Sequence, residues 1–237
     1  MLKLLKRIFL TLFVLIAVVC SYEIYKGYEM YEAAISEMSV KEMASSIKEK
    51  DNYTLLSEMP DIYKNAVVSV EDHRFYKHGG IDIISIGRAI VSDIKAREFV
   101  AGGSTITQQL AKNTYFTQEK KIERKIAEIF MAFEIEDELS KEEILELYLN
   151  TSYFGEGCYT VSEASDFYFD KEPLMMDEYE STLLAGIPNA PSVYAPTKNP
   201  DLAKQRQRQV LDKMIEHDKI SREEASEILK IEYKGAN

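Results

Sequence analysis

The chain has 237 residues, of which 46% are hydrophobic, and its formal net charge is -11 with a pI near 4.9. This length suits one domain of ordinary size beside a short N-terminal segment, and 10 Gly and 6 Pro are too few for a repetitive or disordered chain. The negative charge excludes general nucleic-acid binding, which needs a basic surface. Any anion site must therefore be a local group of cations.

An uncharged apolar run covers residues 8–20, and three basic residues precede it. This pattern describes both a membrane anchor and a cleavable signal peptide, so both interpretations are open. Because no small-x-small cleavage site follows the run, we favour an uncleaved transmembrane segment over residues 1–22. The basic residues place the N-terminus in the cytoplasm and the remaining chain at the outer face of the cell membrane. Cys20 lies in this run, so we expect no disulfide with Cys158.

Helix signals dominate the remaining sequence, and strand signals are scarce. Residues 23–49 contain few helix breakers, so we predict a helical stalk over residues 23–50 and a mainly α domain over residues 51–237. Further helices are predicted for Asp61 to Val70, Lys120 to Leu139, Ser140 to Tyr148, Asp177 to Ile187, and from Asn199 and Ser221 onward.

A broad apolar stripe lies between residues 81 and 100. Two interpretations are open: the stripe belongs to a core helix, or it forms a surface that dips into lipid. Its members are Ile83, Ile84, Ile86, Ile90, Val91 and Ile94, followed by Phe99 and Val100.

Glu71 and Asp72 directly follow the apolar end of a predicted helix, with aromatic residues close behind. A carboxylate in such surroundings could serve as a general base, although an ion-paired acid at a helix end is the commoner arrangement. His73 and His78 add candidate metal ligands. Their five-residue separation fits no standard zinc pattern, so we predict no structural metal there.

The second polar segment starts at Gly102 and Gly103, which permit close approach of the backbone to a ligand. Ser104 and Thr105 then open a helix, whose free N–H groups favour an anion. A plain turn and helix cap explains the same residues. The next two residues, Gln108 and Gln109, suit sugar hydroxyls, or they are solvated helix residues.

A basic group stands out in this acidic chain, formed by Lys112, Lys120, Lys121, Arg124 and Lys125. A solvated cationic face and a pyrophosphate site are both compatible with it. Glu128 lies off the apolar stripe of its helix, so the sequence alone predicts a surface glutamate.

Taken in order, these segments resemble the motifs of the peptidoglycan glycosyltransferases (glycosyltransferase family 51), which also form a domain of class A penicillin-binding proteins. The resemblance runs from about residue 60 to about residue 211, and the end of the chain favours a monofunctional, single-span member. The segments are Glu71-Asp-His-Arg-Phe-Tyr-Lys-His78-Gly79, Gly103-Ser-Thr-Ile-Thr-Gln-Gln109, Arg124-Lys-x-x-Glu128, Lys141-x-x-Ile144-x-x-x-Tyr148-x-Asn150, 153–157 and 183–192.

The resemblance implies a lysozyme-like, two-lobed α fold whose smaller lobe, around residues 81–100, faces the membrane. It implies polymerisation of lipid II into β-1,4-linked glycan, with release of undecaprenyl pyrophosphate. Glu71 would be the base that takes a proton from the acceptor hydroxyl. Glu128 would act at the leaving group or at its divalent cation, Mg²⁺ or Mn²⁺, and no organic cofactor is implied.

The resemblance also implies a set of substrate contacts. Expected partners are lipid II, the growing lipid-linked glycan, the membrane and other cell-wall synthesis proteins, but no nucleic acid. Lys120 departs from the family in standing where arginine is common, and Asp170 in replacing a usual glycine. The implied substrate-binding residues are Asp72, Phe75, His78, Gly103, Ser104, Thr105, Gln108, Gln109, Lys112, Lys120, Arg124, Lys125, Tyr148 and Asn150.

Two other functions stay open at this point. A muramidase or lytic enzyme on the same fold would use two carboxylates to cleave glycans, but it needs no pyrophosphate site. An inactive membrane-bound scaffold would need neither Glu71 nor Glu128.

Overall fold

The computed structural model describes residues 2–96, 102–117, 119 and 121–231. Within these residues the chain forms helices and no strand, which confirms the predicted mainly α fold. Short 3-10 helices cover Leu56–Glu58, Phe75–Lys77, Pro173–Met175 and Ile187–Asn189. The α-helices are α1 (Leu2–Glu37), α2 (Val40–Lys48), α3 (Asp61–Glu71), α4 (Ile83–Ala96), α5 (Ile106–Tyr115), α6 (Ile122–Glu138), α7 (Lys141–Leu149), α8 (Val161–Phe169), α9 (Glu178–Gly186), α10 (Pro191–Tyr194), α11 (Pro200–Glu216) and α12 (Arg222–Ile228).

The N-terminal helix α1 is long and apolar enough to cross a membrane, with a mean hydropathy of 2.3 in its most apolar window. Its 36 residues span roughly 54 Å at 1.5 Å per residue. A bilayer core of about 30 Å takes up about 20 residues. A span of that length would therefore leave the last turns of α1 outside the bilayer.

The segment predicted as a helical stalk is helical but interrupted, because α1 ends at Glu37 and α2 begins at Val40. Ser39 causes the break by capping α2: its hydroxyl accepts from the Glu42 N–H, and the Glu42 carboxylate accepts from the Ser39 N–H at 2.8 Å. The buried side chains of α2 belong to the core. The domain boundary at residue 50 stays a prediction, and the packing of α2 favours an earlier one.

The core holds two groups of helices whose contact creates the site. In one group α5 packs against α6 and α7, and in the other α3 packs against α9 and α11. Large side chains fill this core, and those that are fully buried include Tyr63, Phe75, Ile106, Leu110, Met131 and Tyr148. The C-terminal end of α3 thereby comes to lie beside the first turns of α5.

The apolar stripe of α4 is exposed, since Ile83 is 75% exposed and Ile84 and Val91 are also exposed. Of the two interpretations, the lipid-facing surface fits this exposure and a core helix does not. Asp82 fixes the start of α4, because its carboxylate accepts from the Ile84 N–H at 3.0 Å. The side chains of Ile90 and Ile94, and the residues Phe99 and Val100, lie outside the described part.

Asp170 ends α8 in the left-handed conformation, with φ of 54°. Glycine adopts this conformation without strain, which explains why glycine is usual at this position in the family. The loop that precedes α8 has the same character, with φ of 84° at Gly155 and at Gly157.

Asn150 ends α7 and ties it to the segment before the first 3-10 helix. Its side-chain oxygen accepts from the Thr54 N–H at 2.9 Å, and its amide donates to the Thr54 and Glu146 carbonyls, both at 2.8 Å. The side chain is fully buried. All of its hydrogen bonds are therefore used inside the fold.

We expect Asn150→Ala to lower the free energy of unfolding by about 2 kcal/mol, because it leaves the buried Thr54 backbone groups without partners. Chemical denaturation of the full chain in detergent measures the loss. Asn199→Ala is the matched control, since that amide makes one exposed bond, to the Val193 carbonyl at 3.2 Å, and should cost less than about 0.5 kcal/mol. Equal losses in the two variants would contradict the role given to Asn150.

Candidate active site

Glu71 is the last residue of α3, and its side chain is only 10% exposed. Its Oε2 accepts a hydrogen bond from the Gln109 side-chain amide at 2.9 Å. Its Oε1 has no hydrogen-bond partner within the described residues and lies 3.8 Å from the Arg206 guanidinium. One carboxylate oxygen is thus held in place, while the other is buried beside the Arg206 cation and accepts no hydrogen bond from the described residues.

Gln109 is itself held by Tyr148, whose hydroxyl donates to the Gln109 Oε1 at 3.2 Å. Burial, and to a lesser degree the charge of Glu71, raises the pKa of Tyr148 well above its ordinary value, so this hydroxyl keeps its proton. Because the amide oxygen is taken by Tyr148, the NH₂ group must point toward Glu71. The chain of bonds fixes the direction of the carboxylate.

Glu128 lies on α6 and is buried, being only 1% exposed, so its prediction as a surface glutamate is wrong. Its Oε1 accepts a close hydrogen bond from Arg124, and its Oε2 accepts from the Lys125 ammonium at 2.9 Å. These cations stand one helical turn before it, at the four- and three-residue spacings that bring side chains together on a helix. Lys125 also donates to the Ser104 hydroxyl at 2.7 Å.

Lys112 joins this group from α5. It forms no ion pair within the described residues, and burial lowers its pKa, an effect that the nearby Glu128 and, more weakly, Glu71 oppose. Three cations, Lys112, Arg124 and Lys125, thus gather around one carboxylate. A partly buried ammonium without a partner is costly, and a bound anion would remove that cost.

The spacing on α5 connects the carboxylate of Glu71 with the cations. Gln109, which holds Glu71, and Lys112 are three residues apart, so they lie on one face of the helix, one turn from each other. The sequence placed these residues in separate motifs. The fold brings the motifs together.

Asp72 and His78 connect the end of α3 to the start of α5. The Asp72 carboxylate accepts from the Ile106 N–H at 3.1 Å, in the first turn of α5, and its second oxygen lies 2.8 Å from His78 Nε2. His78 Nδ1 lies 2.6 Å from the Gly79 carbonyl. These contacts lock the end of α3 to the start of α5, and they give both side chains a structural role.

Several predicted substrate contacts have largely buried side chains whose partners lie inside the fold. Thr105 and Gln108 form the capping box of α5, and the Thr105 hydroxyl donates to the Gly80 carbonyl at 2.7 Å. Phe75 is fully buried under the Lys141 ammonium, which lies 4.3 Å from its ring centre. Such surroundings suit side chains that position other groups, and direct contact with substrate stays a prediction for Asp72, Phe75, His78, Thr105, Gln108, Tyr148 and Asn150.

The remaining predicted residues include Gly103, where an added Cβ would meet Ala89 at an ordinary 3.6 Å, so packing does not demand glycine there. Lys120 lies outside the described residues. Lys121 pairs with Glu119 on the exposed surface, at 2.6 Å. The predicted residues that the structure brings together around Glu71 and Glu128 are Gln109, Ser104, Lys112, Arg124 and Lys125.

A comparison with protein families matches residues 36–215 to the family described as Transglycosylase. The chain belongs to this family. Penicillin-binding protein 1F of Bacillus subtilis (strain 168) is 44% identical over 191 residues, which are 81% of this chain and 27% of that protein. Penicillin-binding protein 1A of Neisseria lactamica is 40% identical over 182 residues, which are 77% of this chain and 23% of that protein.

The chain thus spans about a quarter of the length of the curated transglycosylase relatives it matches. Among solved structures, penicillin-binding protein 1A from Haemophilus influenzae aligns with 21% identity and a TM-score of 0.48. That alignment covers 78% of this chain and 18% of the other.

Two acidic groups could be considered for a divalent cation: Glu128, and the group of Asp72, His78 and Asp82. In both groups the carboxylate oxygens already accept hydrogen bonds from the protein. Both oxygens of Glu128 already accept from cations. Asp72, His78 and Asp82 come close together, but Asp72 is bonded to α5, and Asp82 accepts from Arg74 at 2.9 Å and from the Ser85 hydroxyl at 2.6 Å. Mg²⁺ and Mn²⁺ need several free oxygen ligands, and these two groups offer none.

Arg206, on α11, lies beside the Glu71 carboxylate and was not predicted from the sequence. Its Nε donates to the Gly186 carbonyl at 3.4 Å, and its guanidinium lies 5.7 Å from the Tyr194 ring centre. A Cβ on Gly186 would lie 2.8 Å from the Arg206 side chain, so glycine makes room for it. Several basic residues occur in α11, and only the packing of α11 on α3 selects this one.

The contact between Asp72 and His78 predicts a pH dependence of stability. Burial favours the neutral imidazole, but the hydrogen bonds to Asp72 and Gly79 outweigh it, so the pKa of His78 is raised above 6.5. The stabilisation is therefore full below pH 6.5 and is lost as the pH rises through the raised pKa. We expect the difference in unfolding free energy between wild type and His78→Gln to shrink over this range, as measured by denaturation at stepped pH.

His217 gives a control of opposite sign. It stacks on His73 with ring centres 4.2 Å apart, and burial lowers its pKa below 6.5. Wild type should gain stability relative to His217→Gln as the pH rises toward 6.5. Parallel trends in the two comparisons would contradict the assignment of His78.

Proposed function

We propose that this chain is a membrane-anchored peptidoglycan glycosyltransferase, which polymerises lipid II into β-1,4-linked glycan strands and releases undecaprenyl pyrophosphate. One observation carries the proposal: the Glu71 carboxylate accepts a hydrogen bond from Gln109, and one turn further along α5 the ammonium of Lys112 forms no ion pair within the described residues. A carboxylate base and a cation that can receive an anion, both positioned by α5, suit a sugar transfer with a diphosphate leaving group.

In the proposed reaction, Glu71 Oε1 takes the proton of the acceptor 4-hydroxyl. The hydroxyl oxygen forms a bond to the anomeric carbon of the donor sugar from the face opposite the diphosphate. The bond between that carbon and the diphosphate oxygen breaks, and its electron pair leaves with the diphosphate. This single displacement inverts the anomeric carbon and gives the β-1,4 link.

Lys112, Arg124 and Lys125 would stabilise the negative charge that develops on the diphosphate, the kind of electrostatic effect that dominates many enzymes. A diphosphate is a good leaving group, so positive charge is needed there more than a proton donor. Glu128 holds Arg124 and Lys125, and Ser104 bonds to Lys125, so both would act by orienting these cations. Lys120 stays a predicted contact.

A divalent cation, Mg²⁺ or Mn²⁺, would enter together with the diphosphate and add to the neutralisation of its charge. The protein residues act without it in the scheme above: Glu71 moves the proton, and the cations of α5 and α6 bind the leaving group. No organic cofactor is needed for this displacement.

A lytic enzyme is less well supported. Cleavage of a glycosidic bond by two carboxylates requires one of them to donate a proton to the leaving sugar. Both oxygens of Glu128 already accept from cations, which suits an acceptor and not a proton donor. The release of soluble muropeptides from purified sacculi would reverse this preference.

The proposed orientation puts the N-terminus in the cytoplasm and the enzymatic domain at the outer face of the membrane, where the exposed side chains of α4 would meet lipid. Lipid II, anchored by its polyprenyl chain, would reach the site from that surface. Contacts with other cell-wall synthesis proteins stay a prediction, as does the absence of a nucleic-acid partner.

Glu71→Gln should lower the rate of lipid II polymerisation by about 10²- to 10⁴-fold, because the amide cannot take the acceptor proton. Glycan chain formation by the full chain in detergent with a divalent cation measures this. Glu178→Gln, an exposed change in the first turn of α9, is the control and should leave the rate unchanged. A wild type that forms no glycan under these conditions would refute the proposed function.

Lys112→Gln should lower the polymerisation rate by about 10²-fold, the usual loss when one group that stabilises developing charge is removed. It should also weaken inhibition by added inorganic pyrophosphate. The exposed Lys219→Gln carries the same chemical change away from the site and serves as the control. Unchanged pyrophosphate inhibition in Lys112→Gln would show that this ammonium does not bind the leaving group.

A further inference from the structure

The outer turns of α1 pack directly on α6. Gly27 is buried there, and a Cβ added to it would lie 2.5 Å from the Ile126 side chain and 2.9 Å from the Glu123 carbonyl oxygen. No real Cβ approaches other atoms so closely, so any side chain at this position must push the two helices apart. The glycine sets the distance between α1 and α6.

An aromatic cluster continues this contact along α6. The ring of Phe130 lies 5.3 Å from Tyr28 in an edge-to-face arrangement and 5.8 Å from Tyr31, as measured between ring centres. The Tyr31 hydroxyl donates to Glu134 at 3.0 Å. On α6 these contacts fall at Ile126, Phe130 and Glu134. These residues are spaced four apart and therefore share one face of that helix.

The opposite side of α6 carries the cation group. By helical geometry, Arg124 and Glu128 point away from the face that holds Ile126 and Phe130. Helix α6 therefore separates two contacts: α1 on one side and the leaving-group cations on the other. A shift of α6 away from α1 would move those cations directly.

The first turn of α6 has no cap of its own to fix it. Its N-cap residue, Lys121, makes no side-chain cap hydrogen bond, whereas α2, α5, α7, α9 and α12 begin with capping boxes. Arg124 and Lys125 stand in this uncapped region. The contact of Gly27 with Glu123 and Ile126 supplies restraint where the local sequence does not.

We propose that the outer segment of α1, from Gly27 to Tyr31, is a positioning element of the leaving-group site as well as part of the membrane anchor. It fixes α6 from behind and so sets the place of Arg124, Lys125 and Glu128 relative to Lys112 on α5. This inference rests on the proposed glycosyltransferase function.

The test places the same bulky residue on two faces of one turn of α1. Gly27→Val should force α6 outward, raise the KM for lipid II at least about tenfold and weaken inhibition by inorganic pyrophosphate in proportion, since small displacements at a reaction centre are costly. Lys26→Val, on the exposed face, is the control and should change neither value by more than about twofold. Hydrogen exchange of the backbone amides of residues 122–128 should rise in Gly27→Val alone.

A size exchange keeps the test valid if Gly27→Val folds poorly. Gly27→Ala should show a smaller form of the same defect, and adding Ile126→Gly should recover most of the KM, because it vacates the space the new methyl group needs. An active wild type together with a Gly27→Val variant of unchanged KM and pyrophosphate inhibition would overturn the inference alone. An inactive wild type would refute the proposed function, and the inference with it.

Discussion

The hydrogen bonds between the end of α3 and the first turn of α5 govern the geometry of this molecule. Asp72 accepts from the backbone of Ile106, and one turn further Gln109 donates to Glu71. Without the first bond, the start of α5 would lose its direct tie to the end of α3, and the second bond would lose support for its geometry. Since Lys112 follows on the same helix, the position of the cation relative to the carboxylate depends on this one junction.

The group around Glu128 is positively charged, whereas the whole chain is negatively charged. The protein carries a net charge of -11, yet three cations share one buried carboxylate in the group around Glu128. Glu128 allows Arg124 and Lys125 to lie close together, because its negative charge offsets the repulsion between the two cations. Among the described residues, Lys112 is left without an ion-pair partner. That imbalance is the property which an anionic ligand would satisfy.

Local sequence signals predicted most of the helices, because caps and breakers act within a few residues. The capping boxes that begin at Ser140, Asp177 and Ser221 lie where the sequence predicted helix starts. The break at Ser39 follows the same rule but was not recognised within a long helical pattern. The approach of Glu71 to the cation group could be inferred only through the family resemblance, since it depends on contact between elements far apart in sequence.

The roles of individual residues were harder to predict than their place in a motif. Phe75, Gln108 and Asn150 lie inside the family motifs, and the contacts they make within the fold are those of packing, helix capping and loop support. A motif records that a residue is needed and does not say whether it touches the substrate. Arg206 shows the converse, because it reaches Glu71 from α11 with no motif to mark it.

The continuity of α1 links the membrane to the chemistry under the proposed function. A lipid-anchored substrate presents its diphosphate at a height fixed by the bilayer, so the cations that receive it must stand at a matching height. Helix α1 has no break between its apolar window and the contact of Gly27 with α6, and Gly27 lies about 10 Å beyond the end of the apolar run. The exposed side chains of α4 offer a second attachment to lipid. One attachment would leave the domain free to tilt about α1, whereas two separate ones define both the height and the inclination of the cleft.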